Sequence, residues 1–314
     1  MEFAASKFLD HLPLERQARI LRREGLAIDS QTLWDQTNLL AHHLAPTVQA
    51  IRHTVLESAV VGADETPWRL MGGHPKRWWV WALTNGELAA YAILDSRSKA
   101  AASEVLGGYR GIVMADAYGA YNALTRAGPS FRLVHCWAHV RRKFVEIEEN
   151  YPAESKEMLD LLRELYAVEE IVPSPNGNEE ARRLRAELRN TRSKEIVHRI
   201  RDWALAQRPL LRSGLGQAID YMLGLWTGLT AFLKDPNIPL DNNAVERALR
   251  GVAVGRKNHY GSRSRRGTEV AALFYSLFKS AKLAGVEPKN YVLRAAHAAI
   301  TKPGTATLPA SLLS

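Results

Sequence analysis

A single cysteine in 314 residues leaves Cys136 with no intrachain disulfide partner and no fellow thiolates for a multi-cysteine zinc site. A disulfide scaffold is therefore excluded, and a reducing compartment, the cytoplasm, is the simplest expectation. Long apolar runs are missing too. No stretch approaches the roughly 18 residues that a membrane span needs. The opening MEFAASKFLDHLPLERQ puts acids and bases where a signal peptide requires an unbroken apolar core, so neither export nor insertion is expected. Acidic residues are in deficit: 33 Asp and Glu against 42 Lys and Arg give a formal charge of +9. The 46% hydrophobic content rules out collagen and long-range disorder, and a chain of this length can bury a full core in about two domains. A basic protein attracts polyanions, but net charge is silent about reaction chemistry.

The distribution of the charge says more. From Arg247 to Thr268 stand seven cations (Arg247, Arg250, Arg256, Lys257, Arg263, Arg265 and Arg266) with no Asp or Glu, interleaved with Asn258, His259, Tyr260 and glycines. That composition suits phosphate, although a solvated basic loop has the same look. Ala181 to Arg201 holds eight more basic residues on a helical stretch that either lies along DNA or presents a solvated face.

Along the chain, residues 1–58 read as helices: Leu14 to Arg23 ending at Gly25, a second capped by Ser30 and stopped at Pro46, and a third from Val48 to Ser58. Helix, glycine turn, helix is compatible with a helix-turn-helix. Residues 59–140 read as strands with helices: AVVGAD, Trp78 to Thr84, Leu88 to Leu94, a helix at Lys99 to Leu106, the strand GIVMAD and a strand at Phe131 to His135. The expected class is α/β, a mixed sheet flanked by helices, with the fourth strand parallel beside the first. Residues 141–233 read as helices broken at Pro173 to Asn178 and at Pro209. Residues 234–285 return to motif-rich sequence. Residues 286–314 make a C-terminal helix and a tail, poorly ordered from Lys302 onward.

Two acids close predicted strands. Asp64 stands at the expected end of its strand, cut off by Thr66-Pro67, and Asp116 ends GIVMAD. On parallel neighbours both carboxylates emerge at one sheet edge, where open α/β sheets hold their sites. Two such acids repel unless a divalent cation sits between them, and Mg²⁺ or Mn²⁺ prefers these hard oxygens. In LDNNAVERALRG, Asn243 can cap a helix with Glu246 three residues on, while Asn242, Glu246 and Arg250 share a helical face. Glu246 is then a third ligand, a capping-box acid or the ion-pair partner of Arg250.

The blocks VGADETPW, MADAYGAY, HCWAHVRRKF, DNNAVERALR and GRKNHYGSRSRRGTEVAALFYSLFKSAKLAGVEP, in that order, resemble the successive signatures of the insertion-sequence-sixty-six family of bacterial transposases across roughly residues 8 to 300. The resemblance implies a ribonuclease-H-like core with an Asp, Asp, Glu triad, here Asp64, Asp116 and Glu246. It makes 141–233 a helical insertion ahead of the glutamate. It implies two Mg²⁺ or Mn²⁺ ions about 3.5 to 4 Å apart, water attack at a transposon end and then attack of the freed 3′-OH on target double-stranded DNA. Arg247, Arg250, Arg256, Lys257 and Asn258 would hold phosphates beside that centre, and self-association on paired ends is expected. Relatives of this kind carry a leucine-rich region and a cysteine-based zinc module ahead of the HLPLERQ block. An N-terminally truncated copy that binds DNA without transposing, or a nuclease without strand transfer, are the alternatives.

In HCWAHVRRKF the thiol and imidazoles of His135, Cys136 and His139 are too few for a closed zinc site. Arg141, Arg142 and Lys143, opening the next helix, suit a phosphate. His259 and Tyr260 read either as stacking partners for an unpaired base or as packing. Trp78, Trp79 and Trp81 read as core and sheet surface.

Overall fold

A computed structural model of the chain describes residues 1–71, 77–126, 131–173, 178–210 and 212–313. Three helices come first: α1 (Glu2–Phe8), α2 (Leu14–Arg23) and α3 (Ser30–Leu56). Helix α2 stops where expected, because Gly25 takes φ +89 and the Leu26 N–H turns back to the Leu21 carbonyl at 2.8 Å. Helix α3 corrects the expected break. Asp29, not Ser30, caps it by accepting the Thr32 N–H at 2.7 Å, and it runs straight through Pro46. Proline inside a helix costs about 3 kcal/mol. Leu33, Thr37, Ala41, Leu44, Thr47, Ile51 and Val55 form one uninterrupted buried stripe, whose burial outweighs that cost.

Strands β1 (Val60–Trp68), β2 (Trp78–Thr84) and β3 (Ala89–Leu94) form an antiparallel ladder, followed by α4 (Lys99–Leu106). The β2–β3 turn is built by Asn85 Oδ1, which accepts the N–H groups of Glu87 and Leu88, and by Gly86 at φ +94. Strand β1 does not end at Asp64. It continues to Trp68 with Pro67 opposite Trp79, because an antiparallel partner leaves alternate N–H groups unused and proline fits such a position. The outer edge of β3 is closed by side chains. The N–H groups of Ala89 and Tyr91 donate to Ser280 and Ser276 Oγ at 3.0 Å, and Ser280 returns a bond to the Ala89 carbonyl. On β1, the fully covered Glu65 carboxylate takes two bonds from Arg97, at 2.6 and 2.7 Å, and the Arg97 guanidinium lies 4.7 Å from the Trp79 ring.

The chain continues through β4 (Ile112–Ala115), α5 (Gly119–Thr125), β5 (Arg132–His135), α6 (Trp137–Glu146), α7 (Pro152–Ile171), α8 (Glu179–Leu188), a π-helical turn (Arg189–Ser193), α9 (Lys194–Ala206), α10 (Gly214–Gly224) and α11 (Trp226–Leu229). It closes with α12 (Asn243–His259), α13 (Arg265–Leu283) and α14 (Pro288–Thr301). Of the break expected between Pro173 and Asn178, residues 174–177 lie outside the described residues. Helix α6 starts at Trp137, so Arg141, Arg142 and Lys143 sit in its interior and not at its beginning.

Two compact units result, one of Met1–Gly111 with Ala244–Ser314 and one of Ile112–Thr125 with Phe131–Asn243. In the first, Phe8 stacks on Phe274 at 5.2 Å. The tail is packed and not loose: Tyr291 Oη donates to the Thr307 carbonyl at 2.8 Å, the Thr307 N–H reaches Thr47 Oγ1, and Pro309 is buried. In the second unit, β4 and β5 are parallel, and its helices enclose a basic pair that reads as surface in the sequence. Arg189, with no exposure, makes a bidentate pair with Glu169 at 2.7 and 2.8 Å and donates to the Phe232 and Ile238 carbonyls. Arg185, also buried, donates to the Pro173 and Pro236 carbonyls.

Removing Glu169 strands that buried guanidinium. Glu169→Gln is expected to lower stability by roughly 3–5 kcal/mol in urea unfolding. Glu164→Gln, which breaks the exposed pair with Arg199, should cost less than about 1 kcal/mol.

Candidate active site

Register fixes the direction of the first acid. Asp64 pairs with Ala82 of β2, and Ala82 pairs with Tyr91 of β3. Directly opposed residues in antiparallel ladders project from the same face, as do alternate residues along a strand, so Asp64, Thr66, Trp68 and Tyr91 share one face. Side chains of that face are bonded to helix α12. Tyr91 Oη donates to the Ala248 carbonyl at 2.8 Å. Arg256 Nη1 donates to Thr66 Oγ1 at 2.7 Å and to the Pro67 carbonyl. The Trp68 ring centre lies 5.8 Å from that of His259. The apolar stripe of the helix, Val245, Ala248, Leu249, Val252 and Gly255, is buried, and Gly255 has no room for a side chain because a Cβ would meet Tyr275 Oη at 2.6 Å. Glu246 sits in the first turn of α12, half-buried on the flank of the stripe. Asp64 thus lies on the face of the sheet to which α12 is bonded, and Glu246 stands on α12 itself. Asp64 Oδ1 accepts the Glu65 N–H at 2.8 Å.

Asp116 belongs to the second unit. It follows β4 and accepts the Tyr118 N–H at 2.9 Å, the turn that leads into α5. Burial pulls the His135 imidazole below its ordinary range, against the Ala115 carbonyl and the Asp116 charge, which raise it. His135 also needs Gly228, where a Cβ would come within 2.5 Å of its ring. The Cys136 thiol is buried, its pKa pushed up to about 11 chiefly by that burial, and its Sγ accepts the Asn242 N–H at 3.1 Å. Asn243 is inside α12 and does not cap it; Asp241 Oδ1 accepts its N–H at 2.9 Å. Among the described residues no three His, Cys, Asp or Glu side chains are grouped so as to hold a metal ion. The carboxylate oxygens of Asp64, Asp116 and Glu246 suit Mg²⁺ or Mn²⁺ in kind.

A family model described as the transposase IS66 family matches residues 2–270. The chain belongs to the IS66 transposase family. Among curated proteins, three of Sinorhizobium fredii are similar to it. The uncharacterized protein y4jD is 33% identical over 303 residues, covering 90% of this chain and 58% of its own length. The uncharacterized proteins y4qI and y4hP are each 30% identical, covering 92% and 91% of this chain and 57% and 56% of theirs. The chain therefore spans less than three-fifths of the length of the curated relatives it matches. No solved structure matches it.

The basic residues of this IS66 family chain differ in what they do. Arg256 is bonded to β1 and acts as a strap. Arg247, Arg250, Lys257 and Asn258 are exposed on α12. Lys279 on α13 reaches the Arg247 carbonyl at 3.4 Å, and its ammonium is held below its usual range first by burial and then by the charges of Lys282, Arg247 and Arg250. Lys279 and Lys282 thereby join a cationic patch that sequence reasoning missed, although their spacing of three within FYSLFKSAKL puts them on one helical face. In the second unit, Arg141 and Arg142 line a cavity of about 700 Å³ with Arg163 and Tyr166. Lys143 pairs with Glu146 at 2.7 Å on the surface. Among the described residues no helix is long and apolar enough to cross a membrane.

His259, packed among Trp68 and Tyr275, has its pKa driven down to about 4 by burial first and by Lys7 second. An unfolded chain takes up this proton near pH 6.5, so between pH 6.5 and 4 the unfolded state binds more protons. The stabilisation is complete above pH 6.5 and is lost as pH falls toward 4. The melting temperature should drop across that window, by an amount equivalent to at most roughly 3 kcal/mol from this group. In His259→Gln the drop should be smaller, as differential scanning calorimetry at pH 7 and pH 4.5 would show.

Proposed function

We propose that this chain supplies the catalytic part of a transposase that cuts DNA at the ends of an insertion sequence and joins those ends to target DNA. The observation that carries the reading is the family match over residues 2–270, a span that includes all three acids. The attachment of α12, which carries Glu246, to the face of the sheet that carries Asp64 supports it. In this reading the core is ribonuclease-H-like, with 141–233 as a helical insertion. Asp64, Asp116 and Glu246 are the ligands of two Mg²⁺ or Mn²⁺ ions. When bound, such ions lower the pKa of an attacking oxygen and stabilise charge on a leaving one.

The rest is what the protein does with DNA. Water attacks a phosphodiester at the element end, and the 3′ oxygen leaves as a hydroxyl. That hydroxyl attacks a target phosphodiester, with no covalent protein intermediate. Exposed cations on α12 and α13 neutralise strand phosphates around the reaction, and Arg141 and Arg142 do so on the second unit. Work on two paired ends calls for a self-associated assembly on double-stranded DNA, in the cytoplasm at the nucleoid.

The direct test is a mini-transposon assay with Mg²⁺. Asp64→Asn, Asp116→Asn and Glu246→Gln should each abolish strand cleavage, by more than about a hundredfold, while end binding changes little. Full cleavage by any one of them removes that residue from the mechanism. Cleavage without joining in the wild type would make the protein a nuclease, and binding without cleavage a DNA-binding module.

The cations separate by a second measurement. Arg247→Ala and Lys257→Ala should weaken binding on all sequences about equally and reduce the salt slope by about one each. Arg256→Ala should instead lower the melting temperature, because it releases α12 from β1.

A further inference from the structure

The first unit holds a cavity of about 500 Å³ between its N-terminal helices and the turn joining α12 to α13. Its rim is cationic: Lys7, Arg16, Arg19 and Arg263 line it, against the single acid Glu15, which already pairs with Arg263 at 2.9 Å. Three helices point their N-termini at it, since Leu14 and Glu15 open α2, Ser30 and Gln31 open α3, and Ser264 caps α13. Helix N-termini add partial positive charge to that of the side chains. Aromatic rings line it too, among them the half-buried Trp34 and Tyr260, which is 61% exposed.

Tyr260 is held in an unusual way. It adopts φ +60, which a non-glycine residue rarely does. The next residue, Gly261, has φ +103, and a Cβ there would meet the Arg69 carbonyl at 2.1 Å. The turn is locked on both sides, with the Ser262 N–H on the Arg69 carbonyl at 3.0 Å and the Met71 N–H on the Ser262 carbonyl at 2.7 Å. A strained, pinned backbone that exposes an aromatic ring beside a basic cavity is the kind of arrangement that persists for binding. His259, 6% exposed, lines the same cavity, and its Nδ1 meets no hydrogen-bond partner of good geometry among the described residues.

We propose that this cavity receives an unpaired deoxynucleotide of a DNA strand, its base stacked on Tyr260 and its phosphate held by the rim of Lys7, Arg16, Arg19 and Arg263. The size fits one nucleotide with its solvent and not a duplex, and stacking on an aromatic ring with cationic neutralisation is how unpaired nucleotides are held. The inference rests on the reading of the protein as one that acts on DNA. It does not depend on the three carboxylates.

Fluorescence anisotropy without divalent metal tests it, so that cleavage plays no part. The probes are a labelled duplex with a short single-stranded overhang and its blunt counterpart. The wild-type chain should prefer the overhang by about tenfold. Tyr260→Gly, which the positive φ favours and which therefore keeps the fold, should lose the preference while binding the blunt duplex as before. Tyr260→Phe should restore it, and Asp64→Asn should leave it unchanged. Equal wild-type affinity for the two probes would overturn the proposal, as would a preference that survives in Tyr260→Gly. Competition by free deoxyadenosine monophosphate at the concentration at which the overhang competes would also overturn it, by making the cavity a small-molecule site. Loss of catalysis in Asp64→Asn with the overhang preference intact would separate this inference from the catalytic reading.

Discussion

The guanidinium of Arg256 joins the end of β1 to the helix that crosses it, and much of the first unit follows from that junction. Its bonds to Thr66 and Pro67 fix the C-terminal half of α12 on the sheet, while Tyr91 fixes the N-terminal half by its bond to Ala248. Between these two points only small or branched apolar side chains and Gly255 face inward. Asp64 on β1 and Glu246 at the start of α12 therefore belong to two elements that these bonds tie together.

Charge in this protein is sorted by depth. The helical stretch from Ala181 to Arg201 has the composition of a DNA-binding face, yet Arg185 and Arg189 turn inward to Glu169 and to backbone carbonyls. Buried guanidinium groups of this kind tie segments between helices together, since one arginine can satisfy several carbonyls at once. The other cations of that stretch stay exposed, and they, with those on α12, α13 and α6, are what a polyanion can reach. Net charge therefore overstates what the surface offers, and the patch on α12 and α13 is stronger than the α12 sequence implies, because Lys279 and Lys282 come to it from another helix.

Strands β2 and β3, the helix from Lys99 to Leu106 and the stop of α2 at Gly25 are legible because local chemistry decides them: β-branched and aromatic runs, an Asn-Gly turn, and a glycine in the left-handed region. The breaks expected at Pro46 and at Pro67 failed, while helix α9 does end before Pro209. Pro46 removes one hydrogen bond, which the burial of a continuous helical stripe outweighs, and Pro67 stands where an antiparallel strand has no need of its N–H. The tail misled in the same way. Its composition is that of a disordered end, and a few contacts with Tyr291 and Thr47 hold it in place.

The sequence by itself determined the family, through motif blocks whose wording and order are local, and it named the acids and the basic stretch, since residue identity is enough for that. Only tertiary structure decided which cations are strapped inside, which face Asp64 shares with α12, and that Lys7, Trp34 and Tyr260 line one cavity. Those relations join residues of different elements, as far as 190 positions apart for Arg256 and Thr66, and no local pattern encodes them. They exist only once burial has chosen how the helices lie on the sheet.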